Sequence, residues 1–129
     1  MRLFVLLSHE LSQQQIRQAH EVLGVGEILT LPEGLRKTWS SIPPHLESLR
    51  EYLEPIFSWL SQAAPGDYVL AQGDFGAVFL VVDYAFSRGL VPVYATSERR
   101  HREEKAGEEV KIYKTFRHVR FRRYERWEG

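Results

Sequence analysis

The chain has 129 residues, 43% hydrophobic and 26% charged, which suits one globular domain with a core of its own. It has no cysteine, which excludes disulfides and thiolate metal sites and leads us to expect a reducing, cytoplasmic setting. Net charge is zero, yet residues 1–96 carry net −4 and residues 97–129 net +4. Such a basic end either attracts an anionic partner or is a solvated charged face.

Leu3 to Leu7 is a continuous apolar run, as in a strand covered on both faces, and is too short to cross a bilayer. No membrane partner is expected. Ser12 to Gln15 has capping-box spacing, so a helix starts there, has Ile16, Ala19 and Leu23 as its apolar positions with Val22 as a further candidate, and ends near Gly24. Gly26 to Leu31 reads as a second strand. Residues 33–44 read as a loop with a short helical turn. Pro44 then opens a helix to about Ala63, with Leu46, Leu49, Leu53, Ile56, Phe57 and Leu60 on one stripe and a kink at Pro55. Tyr68 to Ala71 is a third strand, Phe75 to Arg88 a helix, and Val91 to Ala95 a fourth strand. Thr96 to Gly107 is charged throughout and reads as a mobile loop. Val110–Thr115 and His118–Tyr124 alternate, as in a terminal antiparallel hairpin.

Strands alternating with helices predict a single α/β domain over 1–129, Rossmann-like, with a mainly parallel sheet, helices on both faces and a C-terminal β-hairpin. Residues 1–96 form the core of this domain, and 97–129 the charged loop and hairpin. Ligands on such sheets bind beyond the carboxyl ends of the strands. Those ends are Ser8-His9, Leu31-Pro32, Gln72-Gly73-Asp74 and Thr96-Ser97.

Imidazole is the side chain suited to proton transfer at neutral pH, which makes His9 a candidate general acid or base; Ser8 can donate to a phosphate or ribose oxygen. Both are equally at home as polar loop residues. In Gln72-Gly73-Asp74-Phe75-Gly76, two glycines bracket a helix start, where the backbone can approach a ligand and amides favour an anion. Asp74 suits a helix cap or a ribose or adenine donor better than a phosphate. Thr96, Ser97, Arg99 and Arg100 combine hydroxyls with guanidinium groups, as phosphodiester recognition requires, although Glu98, Glu103 and Glu104 also suit a solvated loop. His118, Arg120 and Arg122 alternate with Val119 and Phe121, giving one cationic face. Trp39 is either a core residue or a stacking platform for a base. The histidines form no spaced cluster with carboxylates, so no metal and no cofactor are expected.

The stretches Leu6-Leu-Ser-His-Glu-Leu-Ser12, Leu31-Pro-Glu33, Trp39-Ser-Ser-Ile-Pro-Pro44, Gln72-Gly-Asp-Phe-Gly76, Pro92-Val-Tyr-Ala-Thr-Ser97 and Phe116-Arg-His-Val-Arg-Phe-Arg-Arg-Tyr124 together resemble a small family of CRISPR-associated Csx proteins of type III systems. The resemblance implies a CARF-like fold, a homodimer, and a ring nuclease that linearises cyclic oligoadenylate, most readily cyclic tetraadenylate, and so ends an antiviral signal. Combined with rim position, it makes His9, Arg99 and Arg100 the catalytic candidates. Ser8, Trp39, Gln72, Gly73, Asp74, Phe75, Gly76, Thr96 and Ser97 become ligand-binding candidates. Two other readings stay open: a non-catalytic sensor or sponge for the same ring, and a nucleic-acid-binding module using the basic hairpin. On the main reading, no stable DNA or RNA partner is expected.

Overall fold

The computed structural model describes residues 1–128. These form β1 (Arg2–Leu6), α1 (Gln13–Glu21), β2 (Glu27–Thr30), α2 (Glu33–Ser40), α3 (Glu54–Leu60), β3 (Tyr68–Ala71), α4 (Phe75–Ser87), β4 (Val91–Ala106) and β5 (Glu109–Arg123). The protein is α/β, with one mixed sheet in the order β2-β1-β3-β4-β5. The first four strands are parallel, and β5 runs antiparallel to β4.

Alternation along β1 explains its unbroken apolar run. Phe4 and Leu6 pack with residues of α2, α3 and α4, including Trp39, Ile56, Leu60 and Val81. Leu3, Val5 and Leu7 point the other way, onto Ala19 of α1 and Phe121 of β5. Helices therefore cover both faces, three on one side and α1 on the other. The capping box forms as expected: the Gln15 amide donates to the Ser12 hydroxyl at 3.1 Å and the Ser12 amide to the Gln15 side chain at 2.9 Å.

Four expectations need correction. Residues 33–44 contain a two-turn helix, α2, rather than a loop with a single turn. The helix expected from Pro44 to Ala63 is only α3; residues 44–53 form turns, and Pro55 lies in the first turn of α3 rather than at a kink. Pro55 has no N–H, which is tolerated in a first turn but breaks a helix interior. Leu49, Leu53, Ile56 and Leu60 still face the core, so their spacing reported burial while overstating the helix.

The expected mobile loop from Thr96 to Gly107 and the separate hairpin of 110–115 with 118–124 are instead one long ribbon. β4 and β5 pair from Val93–Arg123 to Ala106–Glu109, closing at Gly107 in the left-handed region (φ 67°). Residues 97–117 form a two-stranded arm that continues β4 past the carboxyl rim. Residues 97–106 hold no apolar residue before Ala106, hence no strand pattern of their own; cross-strand partners supply it. Arg99 lies over the Phe116 ring at 5.6 Å and Arg102 over Tyr113 at 5.2 Å. The expected boundary at residue 96 thus falls inside a continuous strand, and the foot of β5 belongs to the core through Phe121.

Candidate functional site at the carboxyl rim

From β1 the chain passes to β2 on one side, and from β2 it crosses to β3 on the other. The strand order therefore reverses between β1 and β3. Their carboxyl ends splay apart there and leave a cleft of about 200 Å³ lined by Ser8, Trp39, Ser40, Ile42, Gly73 and Asp74. In open α/β sheets this is where ligands bind. Four candidates from three separate stretches, Ser8, Trp39, and the adjacent Gly73 and Asp74, are brought together.

Gly73 carries φ 153°, and a Cβ on it would lie 3.1 Å from Trp39 Nε1. Its glycine is required both by backbone conformation and by the approach of the indole. Gly76 is different: a Cβ there would meet Asp74 and Leu49 at an ordinary 3.5 Å. Asp74 caps α4, its Oδ2 accepting from the Ala77 amide at 3.0 Å. None of the six lining residues is cationic.

Several candidates are engaged elsewhere. Trp39 is 2% exposed and donates Nε1–H to the Gln72 carbonyl at 3.0 Å. It is a core residue forming the cleft floor, the first of its two expected readings, and its buried indole is not a platform open to a base. The Gln72 side chain accepts from the Ala95 amide at 2.8 Å, which splices β3 to β4 and takes up the oxygen of this ligand-binding candidate. Thr96 Oγ1 donates to the Arg120 carbonyl at 3.1 Å and accepts from the Arg120 amide at 3.2 Å, pinning the ribbon beside a register shift. That shift leaves Val119 without a partner and breaks the expected alternation. His118 and Phe121 both turn inward, while Arg120 and Arg122 stay exposed, so His118 leaves the cationic face.

Ser97, Arg99 and Arg100 lie on the arm; Arg100 sits 3.8 Å from Glu98. Phe75 is 95% exposed at the start of α4. His9 lines not the cleft but a neighbouring crevice of about 450 Å³ on the α1 face, with Glu10, His20, Thr30 and Arg36. His9 Nδ1 is 3.0 Å from the Glu10 carbonyl and His20 Nδ1 2.8 Å from the Val25 carbonyl. Carbonyls only accept, so each Nδ1 is the donor in these contacts, and a neutral ring at either position carries its acceptor on Nε2. His20 and Arg36 were missed by sequence reasoning: His20 reads as a helix-end residue, and only tertiary placement puts it beside His9. A wider groove of about 1010 Å³ lies between α3 and α4, lined by Arg50, Glu51, Glu54 and Asp83 among others, and it holds none of the sequence candidates.

The model of the Uncharacterized protein MJ1673 family matches residues 1–122. The Uncharacterized protein MJ1673 of Methanocaldococcus jannaschii is 40% identical over 124 residues, covering 95% of this chain and 96% of that protein. No solved structure matches.

Proposed function

The chain belongs to the uncharacterized MJ1673 family, and for it we propose a Rossmann-like, CARF-like ring nuclease that binds cyclic oligoadenylate across the carboxyl rim and linearises it. The observation that carries this reading is the cleft at the reversal of strand order. It gathers Ser8, Gly73 and Asp74 from the same stretches that carry the Csx resemblance. The reaction is in-line attack of a ribose 2′-hydroxyl on the adjacent phosphate, with loss of the 5′-oxygen and a 2′,3′-cyclic phosphate left at the cut end. Positioning supplies much of such a rate. Ser8 and the backbone at Gly73 hold a phosphate and Asp74 accepts from a ribose or adenine donor. Arg99 and Arg100 counter the charge on phosphorus, and His9 moves the proton through its free Nε2. The ring lies between two copies, and the protein works in the cytoplasm.

At about 200 Å³ the cleft is below the ~300–1,000 Å³ usual for a small-molecule site, so each copy holds only part of the ring. Incubation with cyclic tri-, tetra- and hexaadenylate in EDTA, with products separated by mass, tests the proposal. Linear products with a cyclic phosphate end support it; rings that neither bind nor react overturn it.

One observation favours a second reading, a sponge that holds the ring intact. His9 lines the neighbouring crevice, which leaves the cleft itself without an imidazole. Tight binding without cleavage in the same experiment selects that reading.

A further inference from the structure

Helix α1 covers its face of the sheet from one side only, because it leans toward β5. Ala19 packs in one cluster with Val93 and Phe121, and Gln18 donates to the Val119 carbonyl at 3.0 Å. β2 is the outermost strand at the other end of the sheet, so its side chains on this face lie beyond the helix. The gap is the crevice of about 450 Å³ that His9 and His20 line. Val5, Leu7 and Leu31 form its buried base, and Leu11, Ile16 and Ile28 its half-buried walls. The volume lies within the ~300–1,000 Å³ usual for a small-molecule site, and the lining has the usual make-up, an apolar body with a few polar groups.

Those polar groups set the chemistry of an occupant. Arg36 is the fixed cation among the lining residues. It stands one turn into α2, its amide donating to the Pro32 carbonyl at 2.9 Å, and reaches the crevice around the end of β2. Arg2 is paired with Asp67, and Arg88 stacks on Tyr84. Arg36 is half-buried, yet it makes no ion pair and stacks on no ring among the described residues. An open fork of donors beside an apolar wall suits a carboxylate. His20 donates Nδ1–H to the Val25 carbonyl at 2.8 Å, so its neutral ring offers Nε2 as an acceptor. A ligand that also donates a hydrogen bond fits that group. Glu10 cancels Arg36 in the charge of the lining, which favours one negative charge over two.

We infer that the crevice between α1 and β2 binds a small monocarboxylate with an apolar body and a hydroxyl or amide donor, its carboxylate on Arg36. Volume argues against a covering helix, since two turns of one, ~10 Å across, fill about 850 Å³. The crevice shares no lining residue with the cleft at Ser8 and Gly73, and the inference does not rest on the function proposed for that cleft.

3-Phenyllactate is a suitable probe, with one carboxylate, one hydroxyl and a phenyl ring. Amide NMR of the full chain, without any cyclic oligoadenylate, should show saturable shifts at Leu7, Ile16, Ile28 and Thr30, with a Kd of roughly 0.1–1 mM. The neutral 3-phenyllactamide, and phenyl phosphate as its dianion at about pH 8, should each bind about tenfold more weakly or worse. Arg36→Gln should bring the acid down to the level of the amide, leave the amide itself unaffected, and keep the circular dichroism spectrum unchanged. Ile28→Trp, which fills the crevice, should abolish binding of acid and amide alike. No saturation by ~10 mM acid overturns the inference. So do shifts centred on Gly73 and Asp74, or an acid affinity indifferent to Arg36→Gln. Each result stands whether or not the protein cuts a ring.

Discussion

His118 on β5 lies 2.6 Å from Gln18 on α1, imidazole Nε2 to amide Oε1, across one hundred residues of sequence. The Gln18 Nε2 donates to the Val119 carbonyl at 3.0 Å, which fixes its Oε1 as the acceptor. His118 Nε2 must therefore carry the proton. One glutamine thus holds both the register shift of the ribbon and the histidine beside it, fastening the foot of the arm to the helix on that face of the sheet.

This arrangement makes stability depend on pH. Burial lowers the His118 pKa below the usual ~6.5, and a second proton would go on Nδ1, which is buried without an acceptor among the described residues. The unfolded chain takes up that proton more readily than the folded one. The contribution is whole above about pH 6.5 and is lost as pH falls from there through the folded value, with a slope of at most ~1.4 kcal/mol per pH unit. Urea titrations at pH 8, 7, 6 and 5 should show the decline, and His118→Phe should flatten this part of it. An unchanged slope in that variant would sink the assignment.

The parallel core was legible because its signals are local. Leu3–Leu7, the capping box at Ser12 and the Gly73 turn each act within a few residues. The arm was not, because 97–106 has no pattern until it pairs with 109–118. The site was legible as a rim, since each candidate follows a strand. Its selection was not: Trp39 on α2, Gln72 just after β3 and Thr96 within β4 are polar or aromatic residues whose partners, Gly73, Ala95 and Arg120, are set by tertiary register.

The contact between Gly73 and Trp39 should be the most sensitive point in the cleft. Gly73→Ala forces a Cβ to 3.1 Å from the indole nitrogen at a φ that side chains rarely adopt, at a cost of about 1–3 kcal/mol. Gly76→Ala, with ordinary contacts, should cost well under half of that. Thermal melts of both variants check the ranking, and equal losses would mean that the indole moves aside freely.

Asp67 and Arg2 form a partly buried ion pair on the opposite rim. Burial of Asp67 opposes its charge. The Ala64 and Arg2 amides donate to its carboxylate at 2.9 Å each, and the Arg2 guanidinium lies 3.1 Å away; together they hold the carboxyl below its ordinary range. Stability from this group is present above the unfolded value of about 4 and is lost as pH falls through the folded value. Asp67→Asn should cost about 2 kcal/mol at pH 7, less than for a fully enclosed pair because the Arg2 side chain is 32% exposed. The difference from the unsubstituted chain should shrink as pH falls below about 4, which acid titration of both proteins would detect.

The division of labour between His9 and the arm arginines decides how the ring is cut. His9 has a free Nε2 but lines the crevice beside the cleft, so it reaches a ribose only if the ring extends over the end of β1. If it then moves the proton, His9→Ala should slow single-turnover cleavage about 100-fold or more and flatten the pH–rate profile near neutrality, with ring affinity nearly unchanged. Arg99→Ala, by contrast, should weaken binding and cleavage together, because a guanidinium on phosphate acts before the transition state as well as in it. Full cleavage in His9→Ala alongside its loss in Arg99→Ala would remove the acid–base role. Rate would then come from alignment of the 2′-oxygen and phosphorus alone, which requires no imidazole in the cleft.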